Sequence, residues 1–301
     1  MDFKDDITKA KPNISAGSLK TYNSLLRSIY KAVFKTTDKT DVKMFSKHSN
    51  DILKFLEAKP FNVRKTYLAA LVAVAPLEEY KKMMLSDIRD YQHEQSKQEL
   101  TTKLESSSIS KEEIDELAEK LRQNAEALMK KKTHRVSDLM DIQNYIILSL
   151  YYGHIVPRRA MDYCDCLYKN YDESSNYIDF KKSRFVFNNY KTAKFKGTQM
   201  LDIPPALMKI LKKWIALIPK EVDNLFFNSN LEPLSNVTLN QRLNAIFGGA
   251  KSVNALRHFY LTSKYSDLMK ETEKMAKDFE AMGSSKDQAN VYIKIHDKEK
   301  E

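Results

Sequence analysis

Between Tyr22 and Val33 the apolar positions recur every three or four residues: Tyr22, Leu25, Ile29, Val33. That period puts them on one face of a helix, with Ser18 placed to cap its start. A second stripe, Ile52, Leu53, Phe55 and Leu56, ends near Pro60. A third, Val63, Tyr67, Leu68 and Leu71, opens at Asn62 and is stopped by Pro76. A fourth holds Leu77, Tyr80, Met84, Ile88 and Tyr91. Four short amphipathic helices predict a bundle. The stretch "QSKQELTTKLESSS" (95–108) sustains no stripe. The expected organisation is therefore a helical unit over 1–98, a linker over 99–107 and a second domain over 108–301.

In the second domain "SKEE", Ser110 to Glu113, has the spacing of a capping box. The helix it opens shows Ile114, Leu117, Leu121 and Leu128. The strongly apolar "LMDIQNYIILSLYYG" (139–153) is the expected core of this domain. From 176 to 203 the pattern changes. "NYIDF", "RFVFNNY" and "QMLDIP" are short, aromatic and β-branched, and predict a three-stranded antiparallel sheet. The loop "KTAKFKG" joins its second and third strands. After Pro204 a helical period returns through Leu207, Ile210, Leu211 and Trp214, and helix is expected up to the tail "HDKEKE". Tyr260 and Tyr265 follow the core period and are expected to pack. The predicted fold class is mainly α: an N-terminal four-helix unit and a helical domain carrying one small sheet.

Composition supports this picture and adds a partner. Six glycines and eight prolines in 301 residues favour helices, and 42% hydrophobic residues suffice for two packed cores. The net charge of +10 fits a polyanionic partner, above all nucleic acid. Six basic residues and no acidic one lie between Lys181 and Met200. Cys164 and Cys166 are the two cysteines. They make neither a disulfide framework nor a zinc site, so idle thiols in a reducing compartment are expected. "MDFKDDITKAKPN" lacks the apolar core of a signal peptide, and no stretch of 18 apolar residues occurs, so an intracellular chain without a membrane span is expected. The run "KKKTHR" (130–135) has the character of a solvated basic helix end.

Three basic sites and a late tyrosine remain. "PRRAMD" holds Arg158, Arg159 and Asp162; Lys191 sits at the predicted hairpin tip; "NALRHFYLTSKY" holds Arg257 and His258; "MGSSKDQANVYIK" holds Tyr292. The order Arg, hairpin Lys, Leu-Arg-His, late Tyr resembles the catalytic domain of the tyrosine recombinases, the phage integrase family. The wording of "PRRAMD" and "YKTAKFKG" is most similar to the branch from viruses and mobile elements of eukaryotes. The resemblance covers about residues 108 to 301. The N-terminal unit is similar to that family's core-binding domain by architecture alone.

The resemblance implies a site-specific recombinase or integrase, closing as a C-shaped clamp on double-stranded DNA. It would cleave and rejoin strands through a 3′-phosphotyrosyl intermediate. Arg159 and Arg257 would clamp the phosphate; the family's Arg-x-x-acid pattern falls on Arg159 and Asp162, which leaves Arg158 as a DNA contact. Tyr292 would be the nucleophile and Lys191 the general acid, with Lys194 and Lys196 as alternatives or backbone contacts. His258, Ser284, Lys20 and Arg64 complete the expected DNA-binding set. No metal or other cofactor is implied. The expected assembly is a homotetramer on paired DNA sites and a monomer without DNA.

Attack on phosphorus builds charge on non-bridging oxygens, and arginine offers a planar fork that holds two of them without losing its proton. Two forks from distant segments can grip one phosphate. The chain departs from the family at two places. Asn254 stands where a histidine usually handles protons, and Gly283, Ser284 and Ser285 stand where a histidine or tryptophan usually precedes the tyrosine. Asparagine donates a hydrogen bond but shuttles no proton at neutral pH. The alternatives are a catalytically impaired DNA-binding relative and a type IB topoisomerase. Ser285 and Gln288 have capping-box spacing, which would set Tyr292 about two turns into a short helix.

Overall fold

Ser15 rather than Ser18 opens the first long helix: its side chain accepts the Ser18 amide. The computed structural model describes residues 2–35, 41–97, 108–249, 251–285, 287 and 289–293. The expected linker at 99–107 lies outside them. The protein is mainly helical with one small sheet, and the chain divides into two compact units, Met1–Leu100 and Thr101–Glu301.

In the first unit α1 (Lys4–Ala10), α2 (Ala16–Phe34), α3 (Met44–Lys47), α4 (Ser49–Glu57), α5 (Phe61–Val74) and α6 (Glu78–Ser96) follow in order. The four predicted helices are α2, α4, α5 and α6; α1 and α3 are additions. They matter because Phe3 and Phe45 bring their rings to 5.6 and 5.9 Å from Tyr30. That turns α2 by one position, so its buried face is Asn23, Leu26, Ile29 and Tyr30. Tyr22, Leu25 and Val33 lie at its margin. Asn23 is satisfied in the core by the Phe3 amide at 2.9 Å, and the Tyr80 hydroxyl donates to the Phe45 carbonyl at 2.7 Å.

Arg64, expected as a DNA contact, is half-buried. Its Nε and Nη2 donate to the buried Asp87 carboxylate, Nη2 at 2.6 Å, and so tie α5 to α6. A lysine keeps the charge but loses the planar fork. Arg64→Lys is expected to lower unfolding free energy by about 1.5–3 kcal/mol, the worth of a hydrogen bond to a charged group. Urea unfolding checks the loss, and duplex binding of the folded variant should keep its salt dependence.

The second unit is built on α7 (Lys111–Met129) and α8 (Val136–Tyr151). Ser110 and Glu113 form the predicted capping box at the start of α7. Ile142, Ile146, Ile147, Leu148, Leu150 and Tyr151 of α8 are buried, so this helix is the centre of the core. Then come α9 (Ala160–Cys164), β1 (Cys166–Leu167), β2 (Asn176–Asp179), β3 (Arg184–Phe187), α10 (Ala193–Lys196) and β4 (Gln199–Asp202). The sheet order is β1-β2-β3-β4, with β1 parallel to β2 and the other pairs antiparallel. The predicted antiparallel meander thus gains a two-residue strand, too short to show any period. The loop "KTAKFKG" contains the one-turn helix α10.

Four more helices close the unit: α11 (Pro205–Ile215), α12 (Asn236–Phe247), α13 (Val253–Ala281) and α14 (Ala289–Tyr292). Trp214 is fully buried and donates to the Leu225 carbonyl at 2.9 Å. The helix α13 runs 29 residues, yet only Val253, Ala255, Leu256 and Phe279 are buried along it. The expectation that Tyr260 and Tyr265 both pack fails here. Tyr260 is half-buried and Tyr265 exposed, because the helix keeps its period after passing the edge of the core. Cys164 and Cys166 are buried free thiols, and burial pushes Cys164 up to about 12. No helix among the described residues is long and apolar enough to cross a membrane.

Candidate active site

The consecutive arginines of "PRRAMD" are put to opposite uses. Arg158 turns inward: its Nε donates to Asp162 Oδ2 at 2.8 Å and its Nη1 to Gln199 Oε1 at 2.8 Å. Its guanidinium lies 4.0 Å from the Phe187 ring centre and 5.1 Å from that of Tyr190. Asp162 is 2% exposed. Burial raises its pKa, against the charge and hydrogen bond of Arg158 and, more weakly, Arg159. Arg158 therefore pins the base of the β3–β4 hairpin to the start of α9. Arg158, expected as a DNA contact, is thus held by Asp162 and Gln199 within the chain.

Arg159 is the N-cap residue of α9 and is half-buried. Arg257 is half-buried in the second turn of α13, whose start is capped by Ser252 through the Ala255 amide. Neither guanidinium has a hydrogen bond or ion pair among the described residues. Every other half-buried arginine has one. Arg64 holds Asp87, Arg122 holds Glu119 and Glu126, Arg158 holds Asp162 and Arg184 holds Asp179. Arg242 donates to the Met140 carbonyl and Gln143, and desolvation pulls it down to about 10.

A buried tyrosine pair packs behind Asp162. Tyr151 ends α8 and meets Tyr163 edge-on at 5.7 Å. Both hydroxyls are buried without a partner. Burial drives the Tyr151 phenol far above its ordinary value; Tyr163, Cys164 and Asp162 push the same way, while the charge of Arg257 pulls it down. Asp162 feels Arg159 in turn.

Lys191 follows Tyr190, the residue under Arg158, and is exposed. The loop beyond it is braced by the Tyr190 hydroxyl on the Gly197 carbonyl and by Thr198 Oγ1 on Asn188 Oδ1, both at 2.7 Å. Lys194 and Lys196 are exposed on α10. Between them Phe195 is 85% exposed, a feature that sequence reasoning passed over although an aromatic between two lysines was visible. Asn254 is exposed one turn before Arg257. His258, expected among the DNA contacts, is exposed as well. Lys20 is exposed on α2 in the first unit.

Tyr292 is not brought to this neighbourhood within the chain. It ends the four-residue helix α14, 56% exposed, with its ring 6.0 Å from that of Phe279. Phe279 and Arg257 lie on one continuous helix, and their separation along its axis is about 33 Å. Ser284 is at this far end too, its amide donating to the Phe279 carbonyl at 2.8 Å. Gln288, expected to close a capping box with Ser285, lies outside the described residues.

No protein-family model matches the chain, and no curated protein sequence matches it. Solved structures do. A crystal structure of XerA recombinase is similar over 87% of this chain and 83% of its own, at 14% identity and a TM-score of 0.35. A crystal structure of XerH site-specific recombinase, bound to palindromic difH substrate in a post-cleavage complex, is similar over 83% of this chain and 69% of its own. Its identity is 13% and its TM-score 0.48.

Proposed function

We propose that the protein cleaves and rejoins DNA strands, as a site-specific recombinase of the tyrosine type. The observation that carries this is that Arg159 and Arg257 are both half-buried and, among the described residues, hold no hydrogen bond or ion pair. A guanidinium that is partly desolvated and holds no carboxylate is suited to an external anion, and two of them fit the two non-bridging oxygens of one phosphodiester.

In the proposed reaction the Tyr292 phenol gives its proton to water and its oxygen attacks phosphorus. A phosphorus–oxygen bond to tyrosine forms, the bond to the 5′ oxygen breaks, and that oxygen takes a proton from Lys191. The product is a 3′-phosphotyrosyl ester and a free 5′ hydroxyl. Reversal with a new 5′ hydroxyl reseals the strand, so no ATP is consumed. Asn254 donates to a phosphate oxygen but moves no proton.

The test uses a library of nicked random-sequence duplexes, with covalent adducts recovered under denaturing conditions. An adduct from the wild-type chain that vanishes in Tyr292→Phe supports strand transfer. Duplex binding without any adduct supports the impaired DNA-binding relative, which the in-chain distance of Tyr292 from Arg257 favours as the second reading. Plasmid relaxation without paired sites would instead indicate a type IB topoisomerase.

The exposed lysines of the hairpin make a separate prediction. Each phosphate neutralised contributes about 0.9 to the slope of log affinity against log salt on duplex DNA. Changing Lys191, Lys194 and Lys196 together to alanine is expected to reduce that slope by about 3. Fluorescence anisotropy with a random duplex across a salt series measures it.

A further inference from the structure

Beyond Phe259 the helix α13 carries a second pattern. Leu261, Tyr265, Leu268, Thr272, Met275, Phe279 and Met282 follow one another at alternating steps of four and three. This is the seven-residue repeat of a helix that pairs with another helix. Leu261, Tyr265, Leu268 and Met282 are exposed, as is Met269 beside them. Away from the seam Lys270 pairs with Asp267, and Lys274 reaches Glu271 beside the seam. Thr272 and Met275 are half-buried, and Phe279 is buried with the ring of Tyr292 beside it.

We infer that this seam pairs antiparallel with the same seam of a second copy, and that the pairing delivers Tyr292 of each chain to Arg257 of the other. The charges beside the seam choose the orientation, and together with the length of apolar overlap they choose the register. Lys264, Glu271 and Asp278 each precede a seam residue and form one flank; Thr262, Met269 and Ala276 form the other. In a parallel pair the charged flank would face the uncharged one. In an antiparallel pair each flank faces its own counterpart.

With Tyr265 opposite the partner's Met275, and Leu268 opposite the partner's Thr272, Lys264 comes beside the partner's Asp278. Two-fold symmetry makes that contact twice. Sliding the helices by one repeat in one direction would set Glu271 against the partner's Asp278, a repulsion made twice; sliding in the other would set Lys264 against the partner's Glu271 but Met275 and Phe279 against the partner's His258 and the partner's Asn254, off the apolar seam. In the favoured register Glu271 meets the partner's Glu271 at the centre, but each already holds Lys274 at 2.8 Å. On the other flank Met269 closes on the partner's Met269.

The same register sets Leu261 opposite the partner's Phe279, the residue that carries Tyr292. Arg257 lies one turn before Leu261, about 6 Å along the axis. The separation of about 33 Å within a chain thus becomes about one helical turn between chains. One copy supplies Arg159, Lys191 and Arg257, and the other the phenol. The chemistry of this composite site rests on the proposed strand transfer; the pairing itself does not. It also replaces the expectation of a monomer without DNA.

The experiment uses the full chain carrying Tyr265→Cys and Met275→Cys. The two positions are about 15 Å apart on their own helix, too far for a bridge within the chain. Mild oxidation is expected to give a disulfide-linked dimer from the double variant and from neither single one. Sedimentation of the unmodified chain is expected to show a dimer, weakened by Lys264→Asp and restored when Asp278→Lys is added. A dimer from Tyr265→Cys alone would mean parallel helices and overturn the inference. So would a monomer at every concentration with and without duplex, or a dimer indifferent to Lys264→Asp.

For delivery across the pair, Arg257→Ala and Tyr292→Phe chains are mixed in equal amounts. Adduct is expected to return to about a quarter of the wild-type yield, since half the dimers are mixed and each holds one intact site. A mixture as inactive as its components overturns delivery between chains. Cross-linking of the double-cysteine variant in the expected pattern, with no adduct from the wild-type chain, overturns strand transfer and leaves the pairing standing.

Discussion

Arg257→Ala is expected to reduce covalent adduct formation about 100- to 1000-fold, the cost of removing one donor aimed at a developing oxyanion. Duplex binding should change by only about a few-fold, because the net charge of +10 is spread over many other cations. The fold should survive. Arg257 holds no carboxylate, so its truncation orphans no buried charge, and melting temperature should stay near that of the wild type. Arg257→Lys should recover little, since a point charge cannot replace a planar fork on two oxygens. Arg159→Ala should behave alike, and the double variant should lose less than the product of the single losses, because the clamp needs both forks. Adduct formation on the nicked library, measured beside anisotropy and thermal melts, checks all of this. An undiminished adduct in Arg257→Ala would remove this residue from the phosphate.

What the sequence made legible follows from what period and spacing can encode. The helices α2, α5 and α11 announce themselves because each buries one face against a core, and a buried face repeats every 3.6 residues; α8, buried almost all round, shows instead as an apolar run. The β2–β3–β4 meander shows as short aromatic runs. Segments below that length, α3, β1 and α10, carry no repeat to detect. The stripe of α13 is continuous, so its helical nature was visible, but a period cannot say where the surrounding core ends. Tyr265 therefore looked packed and is exposed.

The candidate site divides along a similar line. Residue types and order drew attention to Arg159, Arg257, Lys191 and Tyr292. Which arginine of "PRR" meets Asp162 was not legible, because positions three and four residues away are both neighbours on a helix. The structure gives Asp162 to Arg158. The distance of Tyr292 from Arg257 was hidden for a different reason. Thirty-odd residues can be folded back as a hairpin or laid out as one rod, and the choice depends on partners that a single chain's pattern does not name.

Arg158→Ala is the variant expected to cost most stability, about 3–5 kcal/mol near neutral pH, because it leaves a buried carboxylate without its counter-charge. Asp162 and the Arg158 side chain are 3% and 16% exposed, so solvent screens the pair little. The loss should depend on pH with a definite sign. Burial already raises the pKa of Asp162, and Arg158 is the main influence opposing that rise. Without it the folded-state value climbs further above the ordinary aspartate value near 3.9. Between those two values the native state holds a proton that the unfolded chain has released, so unfolding free energy increases as pH falls. The variant should therefore regain stability on acidification through the folded pKa of Asp162, over a wider window than the wild type. Asp162→Asn added to Arg158→Ala should recover much of the loss at neutral pH and flatten this dependence. Urea unfolding across a pH series on the three proteins measures it. A loss that stays constant with pH would place the cost in the packing of Arg158 on Phe187 and Tyr190, and not in its charge.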